Sequence, residues 1–297
     1  MVEYDLGVAW NWQFDADFIA LLESRCLTKG LSILQITPGN LGEILHSLAT
    51  QEIKCRAFFD RASDEDSQFL PLVQWMHENR VFGINSRERA LLTWDKAEMH
   101  SLMVAVGVDV PHTIILPSFF DQPELPCIDF LSLAEQFTLK PAHGGGGVGV
   151  VTNVTSWEQV ISVRQEHATD RYLLQAQITP QNLETRPAWF RIIYCAGRAF
   201  SCWWHPSTHV YTPVTVEEKD THDLHILDEI AISISRLCGL ELFSTEIAIS
   251  PEGCFKVVDY VNDQIDLRLQ SAFHDGVPDS IVYEIADRLV NQLSTHT

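Results

Sequence analysis

Hydrophobic residues in the first part of the chain follow two different periods. Over residues 15–29 and 41–50 they recur every three to four positions, which predicts amphipathic helices, and Gly30 ends the first of these. Short apolar runs between the helices predict strands, at 4–10, 31–37, 54–60 and 81–85. Because strands alternate with helices, the pattern indicates a small parallel α/β sheet.

Polar and aromatic side chains directly follow several of these strands. Ligands of parallel α/β sheets bind beyond the carboxyl ends of the strands, so we expect possible substrate contacts there. Ordinary turn and cap chemistry is the alternative for each residue. The candidates are Asn11, Trp12, Asn40, Asp60 and Arg61.

The rest of the chain repeats this mixture of helical and strand patterns, and it divides into a middle part and a longer last part. Helices are predicted at 95–106, 157–166 (with Ser156 as its cap), 224–238 and 280–293. Strands are predicted at 110–117, 172–178, 190–196, 244–250 and 254–262. We therefore expect three domains, at 1–93, 94–180 and 181–297.

Composition narrows the classes of function. The 297 residues are 46% hydrophobic, enough for two or three modest domains. A net charge of −20 argues against a nucleic-acid partner, which needs a basic surface. No apolar run is long enough for a membrane span, and the first residues lack the basic region of a signal peptide. Seven cysteines without a Cys-x-x-Cys pair indicate reduced thiols in a cytoplasmic protein; a homo-oligomer stays possible.

The stretch 137–151 holds the strongest chemical signal. A strand carrying Lys140 ends at Pro141, four glycines follow, and strand-forming residues come next. Glycine backbones approach anions closely, so the segment predicts a lid over a polyphosphate. No helix follows the glycines, as a dinucleotide fingerprint needs, and neither a Walker A ending nor the other protein-kinase motifs are present. The alternative is a flexible glycine hairpin without a ligand.

A second signal lies in the hairpin formed by 244–250 and 255–263. Its two strands bring Glu246 and Asp259 near each other, and Asn262 follows on the returning strand. Carboxylate and amide oxygens are ligands that Mg²⁺ accepts. The alternative is a solvated edge hairpin with scattered acidic residues, which is common in so acidic a chain.

The order of these pieces along nearly the whole chain resembles the ATP-grasp superfamily. The signs are the helix opening at Asp95-Lys96, Lys140-Pro141 before the glycines, Leu-Leu-Gln-x-x-Ile at 173–178, the arginine strand at 190–193 and the acidic hairpin. Within it the chain looks most like the carboxylate–amine ligases around glutathione synthetase and the ribosomal-protein glutamate ligases. The resemblance implies an α/β ATP-grasp fold, α+β in its last part, with an N-terminal Rossmann-like pre-ATP-grasp unit.

The resemblance also implies roles for individual residues, with ATP and Mg²⁺ as cofactors. Arg191 would stabilise an acyl phosphate, and Lys96 and Lys140 would contact the ATP phosphates. The lid over the β- and γ-phosphates would be His143, Gly144, Gly145, Gly146 and Gly147; the hinge beside adenine and ribose would be Gln175, Gln177 and Ile178; the ligands of two Mg²⁺ would be Glu246, Asp259 and Asn262.

The implied activity is an ATP- and Mg²⁺-dependent ligase that joins a carboxylate to an amine through an acyl phosphate. Small-molecule carboxylates and amines would be its substrates. Two alternatives stay open: an ATP-grasp kinase acting on a small hydroxylated substrate, and a catalytically silent nucleotide-binding module.

The chain departs from the pattern of this superfamily at three positions. Ala176 stands where the hinge usually has an acidic residue, and Trp189 stands two residues before Arg191, where an aspartate is usual. Asp259 and Asn262 are three residues apart, so a regular strand would place them on opposite faces. Asn262 joins a metal site only if the strand bulges near Tyr260 or Val261.

The acceptor side offers weaker candidates. Arg268 is a possible carboxylate clamp, with a surface salt bridge as the alternative. The stretch 203–211, which includes His205, lines a substrate pocket or simply packs. Pro206 disfavours a helix that would present His205 and His209 together as zinc ligands.

Overall fold

The computed structural model of the chain describes residues 1–125, 133 and 136–295, without the side chains of 294 and 295. The helices are α1 (Ala16–Thr28), α2 (Leu41–Ala49), α3 (Leu70–Glu78), α4 (Arg87–Trp94), α5 (Lys96–Ala105), α6 (Trp157–Glu166), α7 (Val216–Thr221), α8 (His225–Cys238) and α9 (Asp279–Thr295). Short 3-10 helices span Gln13–Asp15 and Ser67–Phe69.

The strands follow the order of the chain. They are β1 (Val2–Trp10), β2 (Ile33–Ile36), β3 (Ile53–Arg61), β4 (Phe82–Ile84), β5 (Thr113–Leu116), β6 (Phe137–Pro141), β7 (Val151–Val154), β8 (Tyr172–Ala176), β9 (Asn182–Leu183), β10 (Arg186–Pro187), β11 (Trp189–Cys195), β12 (Arg198–Trp204), β13 (Tyr211–Pro213), β14 (Leu242–Ile249) and β15 (Phe255–Asn262).

The N-terminal sheet is parallel, as the alternating pattern predicts, with the order β2-β1-β3-β4. The inner strand β1 is buried from Leu6 to Ala9, because helices cover both faces of a parallel sheet. Two helices of this part, α3 and α4, are missing from the sequence prediction. α3 begins with a proline at its first turn and buries Leu72, Val73 and Met76, an apolar stripe too short to stand out.

The middle part forms an antiparallel sheet with the order β5-β8-β6-β7. Ser156 caps α6 as predicted, and Gln159 completes a reciprocal capping box. One face of the sheet packs against α6 through Leu139, Leu174 and their neighbours. The other face, which carries Lys140, turns toward the last part of the chain.

The last part forms a five-stranded antiparallel sheet with the order β13-β12-β11-β14-β15. No strand was predicted at 198–213, yet β12 and β13 lie there. The stretch 203–211 was predicted to line a substrate pocket or simply to pack. Its aromatic residues Trp203, Trp204 and Tyr211 are buried in these strands, so they pack. α7 was also missed, because its six residues bury no side chain.

The largest buried core joins two ends of the chain. Side chains of α1 and the N-terminal sheet, such as Leu6 and Phe18, share it with α9 and β11 residues such as Leu289 and Ile193. The predicted boundaries at 93 and 180 stay a prediction. Within the described residues, six cysteines are free thiols, of which only Cys254 is exposed, and no helix is long and apolar enough to cross a bilayer.

Candidate active site

Lys140 lies on β6 and faces the hairpin of β14 and β15. Its Nζ donates a hydrogen bond to the carbonyl oxygen of Val258, at 3.1 Å. Burial lowers the pKa of Lys140, and the nearby negative charges of Asp259 and Glu246 oppose that shift. The cation predicted to bind phosphate and the acids predicted to bind metal therefore lie side by side.

The glycine loop after β6 adopts a backbone that its sequence requires. Gly144, Gly146, Gly147 and Gly149 have φ angles of +113°, +60°, +76° and +72°, in the region that side chains with a Cβ avoid. Lys96, at the start of α5, donates from Nζ to the carbonyl oxygen of Gly144. The predicted lid is thus an exposed glycine loop that begins beside two lysines.

His143 has other partners than the prediction gave it. Its backbone N–H and its Nδ1 both contact the carboxylate of Asp170, at 2.9 and 2.8 Å. Its Nε2 lies 3.7 Å from Asp95, the N-cap of α5, which also binds Arg171. Because the N–H of His143 is bound to Asp170, a phosphate cradle in this loop would depend on the glycines that follow.

Asp259, Glu246 and Arg191 form one row across the large sheet. Glu246 lies directly opposite Asp259 on β15 and directly opposite Arg191 on β11. Side chains at opposite positions of neighbouring strands share a face of the sheet. The hairpin therefore brings its two carboxylates together, as its sequence indicates.

β15 is irregular between Asp259 and Asn262, where a bulge would be needed to bring both side chains to one site. The register with β14 shifts on both sides of the Glu246–Asp259 pair, so β15 carries extra residues around Asp259. Asn262 consequently reaches the same site, and its Nδ2 donates to Oδ2 of Asp259 at 2.9 Å. The condition for Asn262 to join the two carboxylates is met.

Arg191 and Trp189 hold Glu246 from the neighbouring strand. Arg191 Nη1 contacts Oε1 of Glu246 at 3.1 Å, and Trp189 Nε1 donates to Oε2 at 3.1 Å. Arg191 also donates to Ser244 and lies 4.8 Å from the ring centre of Trp204. Trp189, at the position where the sequence lacks an aspartate, thus supplies a neutral donor to the site.

The two carboxylates differ in their electrostatic surroundings. Burial alone would raise the pKa of Asp259, but Lys140 and the hydrogen bond from Asn262 hold it below the ordinary value. Burial and the charge of Asp259 raise the pKa of Glu246 against the pull of Arg191. Asp259 is therefore ionised more readily than Glu246. Two carboxylates and an amide are hard oxygen donors, and this donor set fits Mg²⁺.

Gln175 points into a buried hydrogen-bond network instead of an open hinge. It is 2% exposed, and its Nε2 donates to the hydroxyl of Tyr260 at 2.9 Å. The same hydroxyl lies 2.7 Å from Nδ1 of His100. Burial and the charge of His112 lower the pKa of His100, so a neutral imidazole can accept the proton of Tyr260.

The other two predicted hinge residues lie at the surface end of this strand. Gln177 is exposed and donates to Asn153 on β7, at 3.2 Å. Ile178 is half-buried just beyond the end of β8. Gln175 is thus buried, whereas Gln177 and Ile178 lie nearer the surface, and their predicted place beside adenine and ribose stays a prediction.

The guanidinium of Arg268 is already bound to carboxylates of this chain. It contacts Asp266 and Asp275 at 2.7 and 2.9 Å, and it lies over the rings of Phe273 and Trp12. These hydrogen bonds raise the pKa of Arg268 further above its ordinary value. Of the two predicted roles, the salt bridge is the arrangement found, and the role of Arg268 as a carboxylate clamp stays a prediction.

Most of the polar candidates beyond the N-terminal strands have structural partners. Arg61 is buried and forms a bidentate ion pair with Asp15, at 2.9 and 2.6 Å. Asp60 accepts hydrogen bonds from its own turn, and Asn40 closes the turn after β2. Asn11 follows β1 and is half-buried.

His205 lies in an exposed turn, where its Nδ1 accepts a hydrogen bond from the backbone of Ser207 at 3.2 Å. His209 stacks on Trp204 with their planes 3° apart. In the part of the chain that the structure describes, no group of three or more His, Cys, Asp or Glu residues could hold a metal. A magnesium site at the hairpin of β14 and β15 would therefore need, besides its two carboxylates, the amide of Asn262 and ligands from the substrate.

Arg191 and Trp189 were noted in the sequence, but their shared contact with Glu246 was not predicted. The two side chains share a face of one strand because side chains alternate, and that spacing could have paired both with Glu246. The contacts of Tyr260 with His100 and Gln175 bridge more than eighty residues of sequence. No pattern in the neighbouring sequence predicts these contacts.

Solved structures similar to this chain over its whole length share one fold. D-alanine–D-alanine ligase from Bacillus anthracis, complexed with ATP, has a TM-score of 0.67 at 12% identity, covering 99% of this chain and 98% of that one. The ATP-grasp ligase PsnB, complexed with a minimal precursor, Mg and ADP, has 0.65 at 12%, covering 100% and 99%. The macrocyclase MdnC from Microcystis aeruginosa, bound with the precursor peptide MdnA, has 0.65 at 11%, covering 97% and 99%.

No protein-family profile and no curated protein sequence matches the chain. At identities this low, similarity to solved structures shows the fold. The chain has the ATP-grasp fold, and the fold class expected from its sequence is confirmed.

Proposed function

We propose that the chain is an ATP- and Mg²⁺-dependent ligase that joins a carboxylate to an amine-type nucleophile through an acyl phosphate. The observation that carries the proposal is the convergence of Lys96, Lys140 and the glycine loop on the row of Arg191, Glu246 and Asp259. A phosphate-binding lid facing an acidic, magnesium-compatible hairpin is the arrangement that phosphoryl transfer needs.

The lysines and the loop would bind and orient the nucleotide. Lys140 and Lys96 would direct their charges at the phosphates, and the glycines, which need no side-chain clearance, would close over them. Such catalysis acts mainly through positioning. The half-buried setting of Lys140 strengthens its charge interactions, since water screens them less.

Asp259, Glu246 and Asn262 would hold Mg²⁺ opposite those phosphates. When bound, the cation would neutralise charge on the transferred phosphoryl group. Asp259, with its lowered pKa, stays ionised at neutral pH and supplies the principal negative ligand. Arg191 and Trp189 would fix the orientation of Glu246, as outer partners do for metal-binding carboxylates.

The reaction would proceed in two displacements. A carboxylate oxygen of the first substrate attacks the γ-phosphorus, and ADP leaves. The amine would then attack the acyl carbon; inorganic phosphate would leave and carry away the proton that the amine loses. Arg191 lies beside Glu246 in the same row, and its guanidinium would stabilise negative charge on the acyl phosphate and its tetrahedral successor.

The structural neighbours support the nucleotide, the metal and the reaction class of this proposal. PsnB is described with Mg and ADP, and the D-alanine–D-alanine ligase with ATP; all three neighbours are ligases or a macrocyclase. PsnB and MdnC are described with precursor peptides. The carboxylate substrate of this chain could therefore be free or part of a peptide, and the assay should include both.

The test is phosphate release from ATP and Mg²⁺ across a panel of amino acids, small carboxylic acids and carboxylate-bearing peptides, each with and without amines. Release that requires both a carboxylate and an amine, with a product of their summed mass less water, supports the ligase. Release without condensation, accompanied by a phosphorylated hydroxyl compound, would indicate a kinase.

Asp259→Asn should abolish any specific signal. Asp228→Asn is the matched control, because Asp228 is a half-buried carboxylate of the same part that binds Ser201 and Lys219 away from the hairpin. Binding of nucleotide without turnover on any panel member would favour the silent module.

A further inference from the structure

The hairpin of β14 and β15, which carries the proposed metal ligands, is held in an irregular shape by contacts on both sides of Asp259. A regular strand would point Asp259 and Asn262 to opposite faces; here extra residues of β15 turn both side chains to one site. Such a bulge leaves ladder groups without their usual partners. The irregularity therefore needs stabilising contacts from outside the ladder.

Two of these contacts hold the backbone. Thr245 donates from Oγ1 to the carbonyl oxygen of Asp259 at 2.9 Å, and Lys140 donates to the carbonyl oxygen of Val258 at 3.1 Å. Thr245 is fully buried on β14. These bonds fix the chain up to Asp259, but they do not reach the residues between Asp259 and Asn262.

Tyr260 holds the segment that follows. Its side chain is 3% exposed and packs among apolar residues of the core. Its hydroxyl lies 2.7 Å from Nδ1 of His100 on α5 and 2.9 Å from Nε2 of Gln175 on β8. Both partners belong to the part of the chain that carries the glycine loop. The bulged residue of the metal strand is thus tied to the lysine and lid side of the site.

We propose that Tyr260 is a positioning residue: its hydroxyl, held by His100 and Gln175, fixes the bulge that aligns Asp259 with Asn262 for the metal. This inference rests on the proposed function, since it assigns a role in the same metal site. The ring alone would fill the core; the hydroxyl sets the rotation of the side chain and hence the path of the backbone between the two ligands.

The test compares Tyr260→Phe with wild type by electron paramagnetic resonance of Mn²⁺, titrated in the presence of saturating non-hydrolysable AMPPNP. Tyr260→Phe keeps the ring and removes only the hydroxyl. Partners that orient metal ligands typically contribute one to two orders of magnitude in affinity, so we expect Mn²⁺ to bind on the order of tenfold more weakly. Nucleotide affinity in EDTA should not change.

Tyr194→Phe is the matched control. Tyr194 lies on β11 of the same sheet, is 7% exposed, and its hydroxyl accepts a bond from the backbone of Gly197 at 3.0 Å. The Tyr194→Phe variant should bind Mn²⁺ with the same affinity as wild type. Gln175→Leu, which removes one partner of the hydroxyl from another strand, should weaken Mn²⁺ in the same direction as Tyr260→Phe.

Turnover supplies a readout that general loss of structure would not give. With an active substrate pair, excess Mg²⁺ should restore kcat in Tyr260→Phe, because the defect is in affinity for the metal. Unchanged Mn²⁺ affinity in both Tyr260→Phe and Gln175→Leu would overturn the inference while leaving the ligase intact. Absence of Mn²⁺ and nucleotide binding in wild type would instead overturn the proposed function, and this inference with it.

Discussion

Replacing Lys140 by methionine tests the proposed nucleotide site most directly. Methionine keeps the length of the side chain and removes its charge. A hydrogen bond to a charged group contributes about 1.5–3 kcal/mol. In the free protein, however, Nζ already donates to the carbonyl oxygen of Val258 beside Asp259, so binding of phosphate exchanges one acceptor for another. We therefore expect the lower end of that range, about 1.5 kcal/mol, or roughly tenfold weaker binding.

The assay is isothermal titration with AMPPNP and Mg²⁺, and the control is Lys219→Met. Lys219 is a half-buried lysine, 15% exposed, paired with Asp228 on α8, so its replacement likewise removes a half-buried charge without touching the loop. Equal dissociation constants for Lys140→Met and wild type, with both proteins folded, would refute the assignment of Lys140 to phosphate. A loss shared with Lys219→Met would show an effect on folding instead.

Three further perturbations test other parts of the structure. Asp259→Asn should abolish Mg²⁺-dependent ATP turnover without lowering the melting temperature, since it removes the charge of the strongest anion and keeps its shape; normal turnover would remove Asp259 from the metal site. Asp15→Asn should reduce the free energy of unfolding in urea by about 3–5 kcal/mol, because it strands the buried guanidinium of Arg61, whereas Asp17→Asn on the exposed face of α1 should have little effect. Burial lowers the pKa of His100 below its ordinary 6.5, so on acidification the unfolded state binds a proton before the folded state does. The free energy of unfolding should therefore fall as pH drops below about 6.5. Urea unfolding of His100→Gln should show a weaker fall, and a pH profile identical to that of wild type would contradict this.

Periodicity and turn residues were enough to predict the elements that carry most of the site. The strand before the glycines, the capped helix at 157–166 and the hairpin of β14 and β15 all lie within a few residues of their predicted bounds. Each owes its form to local rules: alternation, a Ser156 cap and a short polar turn. The short turn places Ile247 opposite Val257 and by itself would place Glu246 opposite Val258; the irregularity of β15 brings Asp259 to that position instead.

Charged residues were harder to assign, because their partners are distant in sequence. Arg61 stood at a strand end and suggested a ligand contact, yet Asp15 neutralises it across 46 positions. Arg268 suggested a free clamp, yet Asp266 and Asp275 bind it. A buried or half-buried guanidinium must find acceptors, and sequence alone does not show whether these come from the protein or from a ligand.

Trp189 shows how a departure from the expected pattern can serve the electrostatics of the site. Three cations, Lys96, Lys140 and Arg191, face the two carboxylates of Glu246 and Asp259. An aspartate at 189 would place a third carboxylate beside Glu246, whose pKa is already raised, and like charges so close oppose ionisation. Trp189 instead donates a hydrogen bond to Glu246 without adding charge. In a chain of net charge −20, the tryptophan thus avoids adding a further negative charge beside Glu246 and Asp259.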